Sequence, residues 1–260
     1  MGVTMHASRI TKLPPIDYPS SDGKPMAETD LHRDWMIKNI QRLERFFSGQ
    51  RVYVSGNLLI YFEKGNPRKS VAPDTFVVKN CKPGRREIFQ TWKEGRTPNF
   101  ILETTSKTTR REDRGKKKAI YAQLNVGEYF LYDPRGDWLD PPLQGFRLVN
   151  GTYEQIPPDA DGGIVSQELG VRFVLENGDL AMFDVATGER LLSQEELAKQ
   201  EMLRADEAKH RAEEEKRRAD EEKRRADQAE LRAKALEEEL ARFRESGKKS
   251  NGHHKRKNDK

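Results

Sequence analysis

The sequence predicts an α/β fold, a mixed central β-sheet flanked by helices, followed by a long charged helix with weak coiled-coil character. Three observations lead there. "TPNFILETTS", "TTRREDRGKKKAIYAQLNVG" and "EYFLYDP" read in order as strand, helix and strand, a crossover that makes part of the sheet parallel and covers it with a helix. Hydrophobic residues make up 34% and charged residues 35% of the 260, an imbalance too large for one globule, so part of the chain is solvated along its length. From Ser193 onward a seven-residue repeat is visible, "RADEAKH", "RAEEEKR", "RADEEKR", "RADQAEL", "RAKALEE", the mark of a regular helical array.

Taken in order, residues 1–26 carry Pro14, Pro15, Pro19, Pro25 and Gly23 and read as an irregular lead-in. A domain spanning 27–192 then opens with the helix "AETDLHRDWMIKNIQRLERFFSG". Thr29 or Asp30 caps it, Leu31, Trp35, Ile37, Ile40, Leu43, Phe46 and Phe47 recur at mostly helical spacing as its apolar face, and it ends before Gly49. "QRVYVSGNLLIYFEKGNPRKSVAPDTFVV" follows, with β-rich runs parted by Gly56-Asn57 and Gly65-Asn66-Pro67. Those turn signals fit two or three adjacent antiparallel strands. After the crossover unit, Asn150-Gly151 and Asn177-Gly178 mark two further hairpins.

Residues 193–246 form the charged helical segment. Ala198, Ala205, Ala212, Ala219, Ala226, Ala233 and Leu240 share one heptad position, and Glu201, Ala208, Glu215, Glu222, Ala229, Leu236 and Phe243 share its companion. Alanine buries little and glutamate on a seam opposes association, so a strong coiled coil is not supported. Opposite charges four residues apart, such as Glu213 with Arg217, Glu214 with Arg218 and Glu221 with Arg225, support a solvated helix instead. The segment is left as a lone helix, a weak homo-oligomer or a site for a partner protein, with a firm coiled coil as the alternative. Residues 247–260 read as a disordered basic tail that could touch phosphates, lipid headgroups or nothing.

Composition also removes function classes. No run of eighteen apolar residues exists and the first residues lack the apolar core of a signal peptide, so neither membrane spanning nor secretion is indicated and a cytoplasmic protein is expected. Cys81 is the only cysteine, which excludes an internal disulfide and a cysteine-rich zinc site. The net charge of +5 divides into 20 basic against 18 acidic residues over 193–260 and 28 against 25 over 1–192, excesses too thin to make a basic face. No phosphate-cradling glycine motif is present, so nucleotide hydrolysis has no support.

Chemistry concentrates in carboxylates placed in strands. Asp74 opens one strand in "VAPDTFVV", and Glu103 lies inside another, "FILETTS". Each has a plain reading, a turn cap for Asp74 and a partner for a nearby cation for Glu103, because strand carboxylates are costly unless bonded. On the next helix Asp113, Lys117 and Tyr121 follow at i, i+4 spacing on one face, so Lys117 could reach back toward Glu103. Two carboxylates and an ammonium are what metal-dependent phosphodiester hydrolysis needs: oxygen ligands for Mg²⁺ and a cation to offset charge on the phosphorane. His32, on a helix face, is more often a polar boundary residue than a ligand, and Trp35, Trp92 and Trp138 read as packing residues. The run "KTTRREDRGKKK", with Lys107, Arg110, Arg111 and Lys116, suits either backbone-phosphate contact or a solvated face.

"VAPDTFVV", "PNFILETTSKTTRRED" and "KKAIYAQLNVGEYFLYDP", with "GKPMAETDLHRDWM" upstream and "PPLQGFRLVNGTYEQI" downstream, resemble the Uma-type family of restriction-endonuclease-like proteins, a branch of the PD-(D/E)XK nuclease superfamily. The resemblance covers roughly residues 18 to 192 and implies a restriction-endonuclease-like fold with divalent-metal-dependent DNA cleavage. It matches Asp74 to the metal-binding Asp, Glu103 to the acidic residue of the Glu-x-Lys half, and Lys117 to a lysine moved onto the following helix, since position 105 is Thr. Glu28 resembles a further acidic residue near the metal, and Tyr121 is a possible additional member. The cofactor implied is Mg²⁺ or Mn²⁺ and the partner DNA. A catalytically silent relative, binding DNA or acting as an adaptor through its terminal helix, is the alternative.

Overall fold

The computed structural model describes residues 16–21, 23 and 29–254, with side chains as far as 244. Glu28 and most of the 1–26 lead-in lie outside the described residues. Helix α1 (Asp30–Phe46) begins where Thr29 Oγ1 accepts the His32 backbone N–H at 3.1 Å, a side-chain cap for an otherwise orphaned donor. Strands β1 (Val52–Ser55), β2 (Ile60–Tyr61), β3 (Ser70–Val71) and β4 (Thr75–Lys79) follow.

Of the two turn signals, Gly65-Asn66-Pro67 joins the adjacent antiparallel strands β2 and β3, whereas Gly56-Asn57 does not set β1 beside β2. β1 pairs antiparallel with β4, while β2 pairs with β3 and, in parallel, with β5 (Phe89–Gln90) in a small separate sheet. The cause sits at Gly56, where a Cβ would lie 1.9 Å from the Asp74 carbonyl oxygen. Only glycine lets the backbones approach this closely. Asn57, at φ 48°, then donates its N–H to Pro73 O at 2.7 Å. The chain thereby leaves the main sheet beside the Pro73-Asp74 turn.

After one turn of helix, α2 (Thr91–Glu94), comes β6 (Phe100–Thr104). The crossover consists of α3 (Arg110–Glu112), a π-helical turn (Asp113–Lys117) and α4 (Lys118–Gln123), and it leads to β7 (Glu128–Tyr132), which pairs parallel with β6. β8 (Leu143–Val149) and β9 (Thr152–Gln155) form the hairpin at Asn150-Gly151, both with positive φ, as a type I′ turn requires. β10 (Ile164–Ser166), β11 (Val171–Glu176) and β12 (Asp179–Asp184) make a three-stranded sheet, its second hairpin turning at Asn177-Gly178. The main sheet has the order β1-β4-β6-β7-β8-β9.

β6 and β7 are buried at every residue, the signature of central strands covered on both faces. On one face Phe100, Leu102 and Phe130 pack with Trp35 and Leu43 of α1 and with Phe173, Leu180 and Met182 of the three-stranded sheet. On the other, Phe76, Val78, Ile101, Tyr129 and Leu131 pack with Tyr121 and Leu124 and with Ile60 and Phe89. The alternation of Phe100 and Leu102 against Ile101 follows from the two-residue period of a strand. Glu103 continues the Ile101 side.

Helix α5 (Gln194–His254) starts in a capping box. Glu196 N–H donates to Ser193 Oγ at 3.3 Å and Ser193 N–H to Glu196 Oε2 at 2.8 Å. The chain divides into compact units at 1–197 and 198–260. Within the second, residues 198–244 are all exposed, with ion pairs Glu207–Arg211, Glu214–Arg218 and Glu230–Lys234 among the described residues. Pairs Glu213–Arg217 and Glu221–Arg225, expected from spacing, do not form among them. The backbone stays helical to His254, past the basic-tail boundary at 247 that the sequence suggests. Propagating an existing helix through a single glycine such as Gly247 costs only about 1 kcal/mol. No described helix is long and apolar enough to cross a membrane.

Candidate active site

The pairing of β4 with β6 builds the site. Thr75 lies opposite Leu102 in an antiparallel register, which, continued by one residue, sets Asp74 opposite Glu103. Asp74 N–H donates to Glu103 Oε2 at 3.2 Å, and Thr104 N–H donates to Asp74 Oδ2 at 2.8 Å. The two carboxylates therefore meet at one end of the sheet. Pro73 closes the entry, and its carbonyl is taken up by Asn57.

The crossover brings a second layer of groups onto Glu103. Tyr121 donates its hydroxyl to Glu103 Oε1 at 2.5 Å, and Lys117 Nζ lies 3.0 Å from Glu103 Oε2 and 3.1 Å from Asp113 Oδ1. A π turn is rare and often sits at functional sites; here it spans the stretch from Asp113 to Lys117. Glu103 is fully buried and Asp113 nearly so, at 0% and 1% exposure. The buried Asp113 carboxylate is compensated by the Lys117 ammonium and by the Thr109 side chain.

Burial dominates the electrostatics. It pushes Glu103 up to about 8, with Lys117 opposing and Asp74 and Asp113 adding to the rise. It raises Asp113 as well, again against Lys117. For Asp74 the burial effect is outweighed by the His32 hydrogen bond and the Lys117 charge, and the carboxyl is held below its ordinary value. Burial would lower Lys117, but Glu103, Asp113 and Asp74 outweigh it and hold the ammonium charged.

His32 is the residue that sequence reasoning set aside. It is 5% exposed, and its Nε2 lies 2.9 Å from Asp74 Oδ2. Because that carboxylate oxygen can only accept, Nε2 carries the proton in this contact. The signal available in sequence was its place in the first turn of α1, after the Thr29 cap, but the sequence does not say that this turn meets the Pro73-Asp74 entry. Asp113 was visible as part of the Lys117 face; its burial was not.

Residues 13–182 match the family model described as "Putative restriction endonuclease" (Uma2), more than half of the 260-residue chain. The chain belongs to the Uma2 family. A comparison with curated proteins returns no match. A solved structure from Anabaena variabilis ATCC 29413, described as "a putative nuclease belonging to DUF820", is 16% identical, covers 61% of this chain and 87% of that chain, and has a TM-score of 0.40.

The remaining sequence candidates are spread around the crossover of this Uma2 member. Lys107, Arg111 and Lys116 are exposed, whereas Arg110 is half-buried with its guanidinium 4.8 Å from the Trp138 ring centre, a cation–π arrangement. Thr105, where the superfamily motif has lysine, is buried and donates its N–H to Tyr132 O at 2.7 Å. Trp35 packs in the core, and Trp92 packs beside Tyr18 with ring centres 5.3 Å apart. Among the described residues no three His, Cys, Asp or Glu side chains are grouped to hold a metal. A cation at Asp74 and Glu103 would draw its other ligands from backbone carbonyls and water, which suits Mg²⁺ and not a soft metal. The donor set fits on charge as well: the Lys117 ammonium is shared by the buried carboxylates Glu103 and Asp113, and Asp74 lies beside Glu103.

Proposed function

We propose that this Uma2-family protein is a metal-dependent endonuclease that hydrolyses DNA phosphodiester bonds. The observation that carries the reading is the meeting of the Asp74 and Glu103 carboxylates at one end of the sheet, with the Lys117 ammonium between Glu103 and Asp113. Carboxyls crowded in a low-dielectric site, Glu103 among them raised to about 8, hold their charged form most readily when a divalent cation supplies the positive charge. Asp74 and Glu103 are its oxygen ligands; when bound, Mg²⁺ or Mn²⁺ polarises the phosphoryl group and lowers the pKa of a water nucleophile.

The chain's own residues have separable tasks. Tyr121 fixes Glu103 by one oxygen, and the Thr104 N–H and His32 fix Asp74 by one oxygen. Those bonds hold the carboxylates before substrate arrives, so little reorganisation is left to the reaction. Lys117, 12% exposed at its side chain, offsets the charge that develops on the phosphorane. Lys107, Arg111 and Lys116, exposed on the stretch that follows β6, contact backbone phosphates without reading sequence.

Supercoiled plasmid incubated with the protein and Mg²⁺ is expected to be nicked, and EDTA or Asp74→Ala to abolish nicking. Lys117→Ala should slow it by about 10²–10³-fold, the usual loss on removing one group that stabilises transition-state charge. Equal cleavage by the wild type and Asp74→Ala would refute the assignment. Mn²⁺ titration calorimetry divides the remaining cases. Binding that depends on Asp74 without cleavage marks a silent adaptor acting through α5, and no binding removes the metal site.

A further inference from the structure

We propose that residues 225–244 of α5 bind a second copy of this chain as a short parallel, in-register coiled coil. Over this stretch the two seam positions are Ala226, Ala229, Ala233, Leu236, Leu240 and Phe243, and no glutamate interrupts them. Leu236 and Leu240 are 59% and 56% exposed on a helix whose neighbouring residues are solvated. A strict seven-residue repeat keeps such a seam facing one partner helix, whereas a solitary helix has no reason to hold it.

Charge identifies the partner and its direction. The positions flanking the seam on one side are Arg225, Arg232 and Glu239, and those on the other are Glu230, Glu237 and Arg244. In a parallel dimer each residue of the first set meets the residue five further along in the partner. Arg225 then faces Glu230, Arg232 faces Glu237, and Glu239 faces Arg244, all opposite in sign and each formed twice. Turning one helix around would oppose Arg232 to itself and Glu237 to itself. A pattern complementary to its own copy fits a second copy better than an unrelated helix.

The same rule limits the contact. Upstream, Arg204, Arg211 and Arg218 would face Lys209, Lys216 and Lys223, with Glu201, Glu215 and Glu222 on the seam. Like charges across the interface and carboxylates within it repel, so pairing stops near Arg225. With three alanine layers, two leucine layers and one phenylalanine layer the association is weak and concentration-dependent, and it loosens with salt.

Sedimentation equilibrium on the full chain tests this with two triple variants at exposed positions. Glu230→Arg/Glu237→Arg/Arg244→Glu and Arg225→Glu/Arg232→Glu/Glu239→Arg each turn every parallel pair repulsive, yet an equimolar mixture restores all of them between unlike chains. The wild type is expected to dimerise increasingly with concentration, each variant to be monomeric, and the mixture to regain the dimer. Circular dichroism should show unchanged helix content in both variants. A wild type that stays monomeric, variants that dimerise like the wild type, or a mixture that stays monomeric would each overturn the proposal. Antiparallel pairing is excluded by the same design, because each variant alone keeps its antiparallel attractions between 225 and 239 and between 230 and 244.

Discussion

Asp74 is held by neighbours that sequence separates widely: His32 from α1 and Thr104 from β6. Both bonds end on Oδ2, and among the described residues no donor reaches Oδ1. The role assigned to His32 is to orient the carboxylate, as outer-shell partners do at metal sites. His32→Ala should therefore weaken Mn²⁺ binding by about 10–100-fold while leaving the far-UV spectrum unchanged. Calorimetry reads the first and circular dichroism the second, and unchanged affinity would remove the positioning role. Asp74, Glu103, Lys117 and Tyr121 could be singled out in the chain because strand carboxylates and an i, i+4 face are local patterns. His32 could not, because burial of a helix residue depends on which loop arrives above it.

The elements divide in the same way. The two Asn-Gly hairpins, the crossover and the Thr29 cap rest on local chemistry and can be read directly from residue types. The pairing of β1 with β4 rests on contact between Gly56 and the Asp74 backbone eighteen positions on, which no turn signal announces. At the other end of the domain Arg42, 2% exposed, donates to both oxygens of Glu196 at 3.1 and 2.5 Å and to Leu180 O at 2.7 Å. Burial raises the Glu196 carboxyl, but the Arg42 and Ser193 hydrogen bonds outweigh it and bring it down to about 2. A carboxyl lowered in the folded state stabilises fully above its unfolded value of about 4.5, and loses that contribution as pH falls toward about 2. Glu196→Gln should accordingly lower Tm at pH 6, and the gap to the wild type should close as pH drops from about 4.5 to 2. Thermal melts across that range check it; a gap that stays constant would contradict the linkage.

At the scale of the whole molecule, two cores on opposite faces of one sheet fix the strands that carry the site. Phe130, fully buried, joins Phe100 and Phe173 at ring-centre distances of 5.1 and 4.9 Å, linking the main sheet to the three-stranded one. Phe130→Ala should cost about 3–5 kcal/mol in urea unfolding, the usual loss when a core phenylalanine is truncated. A loss below about 1 kcal/mol would show that this joint is not part of the core. The sequence by itself determined the α/β class, the parallel crossover, the hairpin turns and the break in character near Ser193, since periodicity, turn residues and charge density act over a few residues. Only the tertiary structure decided that β1 pairs with β4, that His32 reaches Asp74, and that Asp113 is buried beside the Lys117 ammonium. Those outcomes depend on contacts between distant segments, where close packing and the cost of burying charge select one arrangement that no short stretch of residues encodes.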